Sequence, residues 1–144
     1  MKRLLTGLLL ASAASLALAQ ATPVGVWKTI DDKTKTEKSI VRISESGGVL
    51  SGRIERLLAP DAKPDGVCDK CGDDRKDQKV VGLEIIRGAK KAEGENLWEG
   101  GTILDPNDGK VYRLRLKPED DGKRLEVRGY VGPFFRNQHW IRVE

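Results

Sequence analysis

The stretch "KVYRLRL", residues 110–116, places Tyr112, Leu114 and Leu116 on one side of an extended backbone and Val111, Arg113 and Arg115 on the other. A two-residue period of this kind is a half-buried β-strand, because successive side chains leave the backbone on opposite faces. The signature recurs along the chain. "GVWKTI" (25–30), "KSIVRIS" (38–44) and "VLSGRIERLL" (49–58) precede a long polar connection over residues 59–79. "VVGLEIIR" (80–87), "NLWEGGTIL" (96–104), "KVYRLRL" (110–116), "KRLEVRGYV" (123–131) and "NQHWIRV" (137–143) follow it. The joints are short. Ser46-Gly47-Gly48, Glu93-Gly94-Glu95-Asn96, Asp108-Gly109 and Asp121-Gly122 each supply residues that tolerate positive φ, as tight hairpins demand. Helix signals are nearly absent, and no βαβ crossover is in sight. Consecutive hairpins with one apolar and one charged face predict an all-β fold: an eight-stranded, antiparallel, up-and-down barrel of the lipocalin-like kind.

The first residues stand apart from this pattern. Lys2 and Arg3 lead into an apolar run that ends in small residues, and Ala17-Leu18-Ala19 forms an A-x-A cleavage site. Residues 1–19 are therefore expected to be a signal peptide, and 20–144 a single domain, periplasmic or secreted. The run falls short of the ~20 apolar residues needed to span a bilayer. Charge narrows the partners. Two of the 26 basic side chains lie in the leader, while all 22 acidic ones lie beyond it, leaving a net charge of +2. The signs also alternate, as in Asp73-Asp74-Arg75-Lys76-Asp77. That pattern argues against nucleic acid or an anionic membrane as partner.

Chemistry-bearing motifs are few. Cys68 and Cys71 are the only cysteines, in the loop "DGVCDKCGDD". A zinc site needs four ligands and this pair supplies two, while His139, the one histidine, is far away in sequence. A redox motif wants its first cysteine at a helix N-terminus, where the thiol pKa falls; here aspartates surround the pair. In an oxidising compartment a structural disulfide is the leading reading, with a share in a metal site or redox activity as alternatives. "DPNDGK" (105–110) gathers Asp105, Asn107 and Asp108, but Lys110 stands where a calcium loop needs Gly; a hairpin turn fits better. No triad and no phosphate-cradling loop can be assembled, so no catalytic residue, metal or cofactor is assigned.

In sequence order, the motifs are Gly25-x-Trp27, Cys68-x-x-Cys71 followed by "VVGLEII", Trp98-x-Gly100-Gly101, and Asp105-Pro106-x-x-Gly109-Lys110-x-Tyr112. Arg128-Gly129-Tyr130 and Gln138-x-Trp140 complete the series. Together they resemble a family of exported bacterial proteins, the domain-of-unknown-function family numbered 2147. The resemblance implies an exported lipocalin-like barrel and brings no reaction with it. His139 departs from the pattern, which has Thr there. Lipocalin-type barrels also carry Gly-x-Trp on the first strand, with an arginine of the last strand lying over the indole. Gly25 and Trp27 fill the first part, and Arg142, or else Arg136, the second.

The function expected is binding, of a small apolar or amphipathic molecule at the barrel mouth or of an envelope protein. A packed barrel acting only through protein contacts is one alternative; a hydrolase or thiol oxidoreductase is another. Residues 129–138, "GYVGPFFRNQ", read as the connection between strands seven and eight. Its Phe134 and Phe135 either plug the barrel end or rim a site with Arg128, Tyr130, Arg136 and Gln138.

Overall fold

The structure, a computed structural model, describes residues 21–144, so the leader expected at 1–19 lies outside the described residues. The strands are β1 (Gly25–Ile30), β2 (Glu37–Ser46), β3 (Val49–Leu57) and β4 (Glu84–Lys91), then β5 (Trp98–Asp105), β6 (Lys110–Glu119), β7 (Arg124–Val131) and β8 (Phe134–Arg142). Each pairs antiparallel with the next, and β8 returns to β1, closing an eight-stranded barrel. Among the described residues no helix is long and apolar enough to cross a membrane.

Register decides which residues face inward, since residues directly opposite share a face. Trp27 lies opposite Val41, Ile43 opposite Gly52, Gly52 opposite Ile86, and Ile86 opposite Ile103. Leu116 faces Val127, and Leu125 faces Trp140. Trp27, Val41, Ile43, Ile86, Leu114, Leu116, Leu125 and Trp140 are all buried, so indoles and branched aliphatic groups fill the base of the barrel. The chain ends meet at this closed end, where Val26 bonds to the main chain of Val143 and Glu144. The opposite end, the mouth, carries the connections 31–36, 58–83, 106–109 and 132–133.

Two strand starts differ from the sequence reading by three residues or more. The fourth strand runs over 84–91, four residues later than the β-branched run suggested. Val80, Gly82 and Leu83 are held instead by main-chain bonds to Gly66 and Ile54, while "GAKK" pairs with β3 and β5 despite its composition. Strand pairing has overridden intrinsic preference. The last strand starts at Phe134, not Asn137. Val131 pairs with Phe134 across a tight Gly132-Pro133 turn, so residues 129–138 are hairpin rather than loop.

Candidate binding surface

The closed end is built around one arginine. The Arg142 guanidinium lies 4.3 Å from the centroid of the Trp27 ring. It donates to the carbonyls of Gly122 (2.5 Å), Val24 (2.9 Å) and Thr22 (2.7 Å), and the Trp27 indole donates to Pro23 O at 2.8 Å. Burial pulls the Arg142 pKa down from its ordinary value. Gly25 is required here: its φ is +143°, and a Cβ would stand 2.4 Å from Arg142 Nη1. Three carbonyls and an indole occupy the whole group, so this is a structural lock rather than a site.

The connection between β3 and β4 folds down over the outer wall. Asp74 grips the outward-facing Arg87 with two bonds of 2.9 Å, and Arg53 reaches Gly82 O at 3.1 Å. Cys68 and Cys71 are joined in a disulfide, and both are buried. Arg75, only 3 % exposed, donates to Glu84 O at 3.0 Å and to both oxygens of Asp73. Those bonds from Arg75 hold the Asp73 carboxyl well below the usual carboxylate range. Gly109, at the tip of the β5–β6 turn, sits so close to this loop that a Cβ would stand 1.9 Å from Lys70 O. In that turn Asp105 and Asp108 accept from the main-chain N–H groups of Asn107 (2.9 Å) and Lys110 (2.8 Å), so the aspartates shape the hairpin.

The mouth is polar on its inner side. Arg136 lies opposite Gly129 and Gln138 opposite Val127, which turns both inward. Arg136 clasps Asp32 of the β1–β2 connection through bonds of 3.0 and 2.6 Å. Tyr112, opposite Ile103 on the same inner face, donates its hydroxyl to Asp108 at 2.7 Å. That bond and partial burial push its pKa up to about 12. Deeper in, Gln138 Oε1 accepts from the Trp140 indole at 2.9 Å, and the Thr29 and Ser39 hydroxyls meet at 2.7 Å.

Strand alternation divides the six residues grouped by sequence reasoning. Arg136 and Gln138 face the mouth, whereas Arg128, Tyr130 and Phe135 lie on the outer wall of β7 and β8. There Arg128 stacks 3.9 Å from the centroid of Phe135, and Arg113 lies 5.1 Å from that of Tyr130. Phe134 stands at the hairpin tip, 74 % exposed, and Phe135 is 51 % exposed. Neither ring plugs the barrel, which corrects the core reading: Phe134 stands on the last rung at the hairpin tip, and strand alternation turns Phe135 outward. Asp32, Asp108 and Arg113 were not anticipated. Tyr112 lies on the apolar face with Leu114 and Leu116, but its position near the rim makes it a polar group of the mouth.

Below the aromatic cluster on the outer wall, Glu119, Glu126 and His139 bring ligand atoms within 4.8 Å of one another. Glu126 is already engaged by Arg115 (2.7 Å) and approached by Arg128 (3.6 Å), and His139 Nδ1 meets Glu119 at 3.1 Å. Burial opposes ionisation of Glu126, yet hydrogen bonds led by that from Arg115 hold its pKa below the ordinary value. Two guanidiniums beside the central carboxylate make this an ion-pair network rather than a cation site.

A closed eight-stranded meander with a Trp–Arg lock at its base defines a lipocalin-like barrel. The chain belongs to the bacterial family described as "Uncharacterized protein conserved in bacteria (DUF2147)", which matches residues 25–142. A solved structure of the protein HP1028 from the human pathogen Helicobacter pylori, described as belonging to the lipocalin family, superposes with a TM-score of 0.73. The identity is 18 %, over 87 % of this chain and 85 % of that one, so the likeness is one of fold. Among curated proteins none matches the sequence.

Proposed function

We propose that this chain is an exported binding protein, periplasmic or secreted, that takes a small apolar or amphipathic molecule at the mouth of the barrel. One observation carries the reading. The inner wall changes character along its length, from the packed base of Trp27 and Trp140 to a rim bearing Arg136, Tyr112 and Gln138. Apolar packing beneath a few orienting polar groups is the makeup of a small-molecule site. A ligand with a hydrogen-bonding or acidic head would exchange with Asp32 on Arg136 while its body lies against the floor. The A-x-A leader and the buried Cys68–Cys71 bridge support export to an oxidising compartment. Burial of both cysteines favours a staple over thiol exchange.

Native mass spectrometry of the protein from its own periplasm tests this, with Arg136→Ala beside it. The expected result is a retained small mass that the variant loses. A wild-type chain that carries nothing and binds no amphiphile from a fatty-acid and isoprenoid panel would sink the reading.

The outer cluster favours a second reading, contact with an envelope protein. Exposed Phe134 and Phe135, with Arg128 stacked on the latter, are the residue types that anchor interfaces.

A further inference from the structure

The β7–β8 hairpin concentrates what the rest of the chain disperses. Residues 127–143 hold three arginines, and all 22 acidic side chains lie outside them. Val131 and Phe134 pair across the Gly132-Pro133 turn, and both are exposed. On the next rung Tyr130 faces Phe135, and Arg113 of β6 faces Tyr130. Continued by two residues, the same register sets the exposed Val111 beside Gly132. Val111, Val131, Pro133, Phe134 and Phe135 thus form one apolar tip at the mouth end of the barrel.

Two cations stand behind that tip. Arg113 is one rung back, its guanidinium 5.1 Å from the centroid of the Tyr130 ring. Its cross-strand neighbours are Thr102 and Tyr130, so no carboxylate faces it. Arg128 starts further back but stacks on Phe135, which carries its charge toward the tip. Glu126 approaches Arg128 at 3.6 Å and is held more closely by Arg115, at 2.7 Å. The mouth carboxylates Asp32 and Asp108 are turned to Arg136 and Tyr112. At about 3.3 Å per residue, apolar groups lead and the two arginines follow roughly 3–10 Å behind. The turn suits a dry surface as well, because Pro133 has no N–H to be stripped of water.

Exposed rings backed by cations fit two kinds of surface, a protein and a bilayer. A protein partner anchors aromatic groups in pockets matched to them. A bilayer needs no matching shape. It takes an apolar tip ~5–10 Å into the acyl boundary and leaves basic groups among the headgroup phosphates. The order along this hairpin, apolar tip first and guanidiniums behind, is that of the bilayer. We propose that the β7–β8 hairpin docks the barrel, mouth end first, on a bilayer surface that carries anionic phospholipid. A net charge of +2 beyond the leader is too small to hold the protein there by charge alone. The rings supply the hold, and Arg113 and Arg128 the orientation. Alternating signs along the chain argue against such a surface only until strand pairing sets these side chains together. Docking stands apart from the ligand reading, since it uses the tip and outer wall and needs no molecule in the mouth.

Vesicles of phosphatidylethanolamine and phosphatidylglycerol test it. Trp27, Trp98 and Trp140 are buried, so Phe134→Trp adds an exposed reporter at the tip. Its emission should shift to the blue on the vesicles, while that of Val143→Trp, exposed at the closed end, should not. In co-sedimentation, the double variant Phe134→Ser, Phe135→Ser should bind at least tenfold more weakly, with its thermal midpoint little changed. Arg113→Gln should weaken binding several-fold. Wild-type protein that ignores the vesicles overturns the proposal and leaves the rings to an envelope protein. Binding that survives the double variant overturns it too, as does a Val143→Trp reporter that shifts as far as the one at Phe134. Protein left in the supernatant with one lipid bound would place that lipid in the mouth and overturn the docking. Binding unchanged in Arg113→Gln overturns the part given to anionic lipid.

Discussion

Arg142 ties the closed end together, because its guanidinium serves three main-chain carbonyls and an indole face at once. A cation–π contact is worth roughly 0.5–2 kcal/mol, and each carbonyl left unpaired adds a desolvation cost. Arg142→Ala should therefore lower stability by about 2–3 kcal/mol, read as a fall in the denaturant midpoint. Arg142→Lys should recover little, since an ammonium cannot serve that planar set of acceptors. An unmoved midpoint in the alanine variant would reduce Arg142 to an ordinary surface charge. Tyr112 makes a different prediction. Its folded pKa of about 12 lies above the unfolded value near 10, so its hydrogen bond to Asp108 contributes fully below about pH 10. That contribution is lost as the pH rises from there through about 12. Ultraviolet titration should show a late phenolate transition that Tyr112→Phe abolishes.

The β7–β8 hairpin shows how one turn redirects several side chains. Because Val131 pairs with Phe134, the strand begins at the first phenylalanine, and period two then sends Phe135 outward and Arg136 inward. Placing the strand start at Asn137 leaves both rings free to fold into the core; starting it at Phe134 removes that freedom. With 74 % and 51 % exposure there is little burial to lose. Phe134→Ala and Phe135→Ala should each shift the unfolding free energy by no more than ~0.5 kcal/mol, against the 3 or more that a core phenylalanine costs. A large loss in either variant would show that the ring is buried in solution. The β3–β4 connection makes the complementary point. "DDRKD" reads as solvated charge, yet Arg75 is buried between Asp73 and the Glu84 carbonyl while Asp74 ties the loop to Arg87. Nothing in the local pattern marks which of those charges is the buried one.

For the whole molecule, alternation and turn chemistry alone lead to the barrel. Hairpins such as 105–110 and 119–124 leave an antiparallel strand no neighbour but the next, and a sheet built that way closes to satisfy its edges. Gly25-x-Trp27 and Arg142 were legible for a related reason, because the two ends of the chain must meet where the sheet closes. Local rules determine which residues share a face. They do not determine how far along the barrel axis each one stands, because that height depends on stagger and bulges accumulated around eight strands. Tyr112 shows the gap: its face could be read from Leu114 and Leu116, but its place at the rim beside Asp108 could not. Pairing across the closure is undetermined for the same reason. The β1–β8 register stops after two positions, and that decides the width of the seam that Arg136 and Asp32 bridge. The sequence by itself determined the architecture and pointed to the disulfide loop and the lock at the base, since each rests on contacts between chain neighbours or chain ends. Only the tertiary structure decided which arginines face the mouth and which face outward, because that turns on a register that no single segment contains.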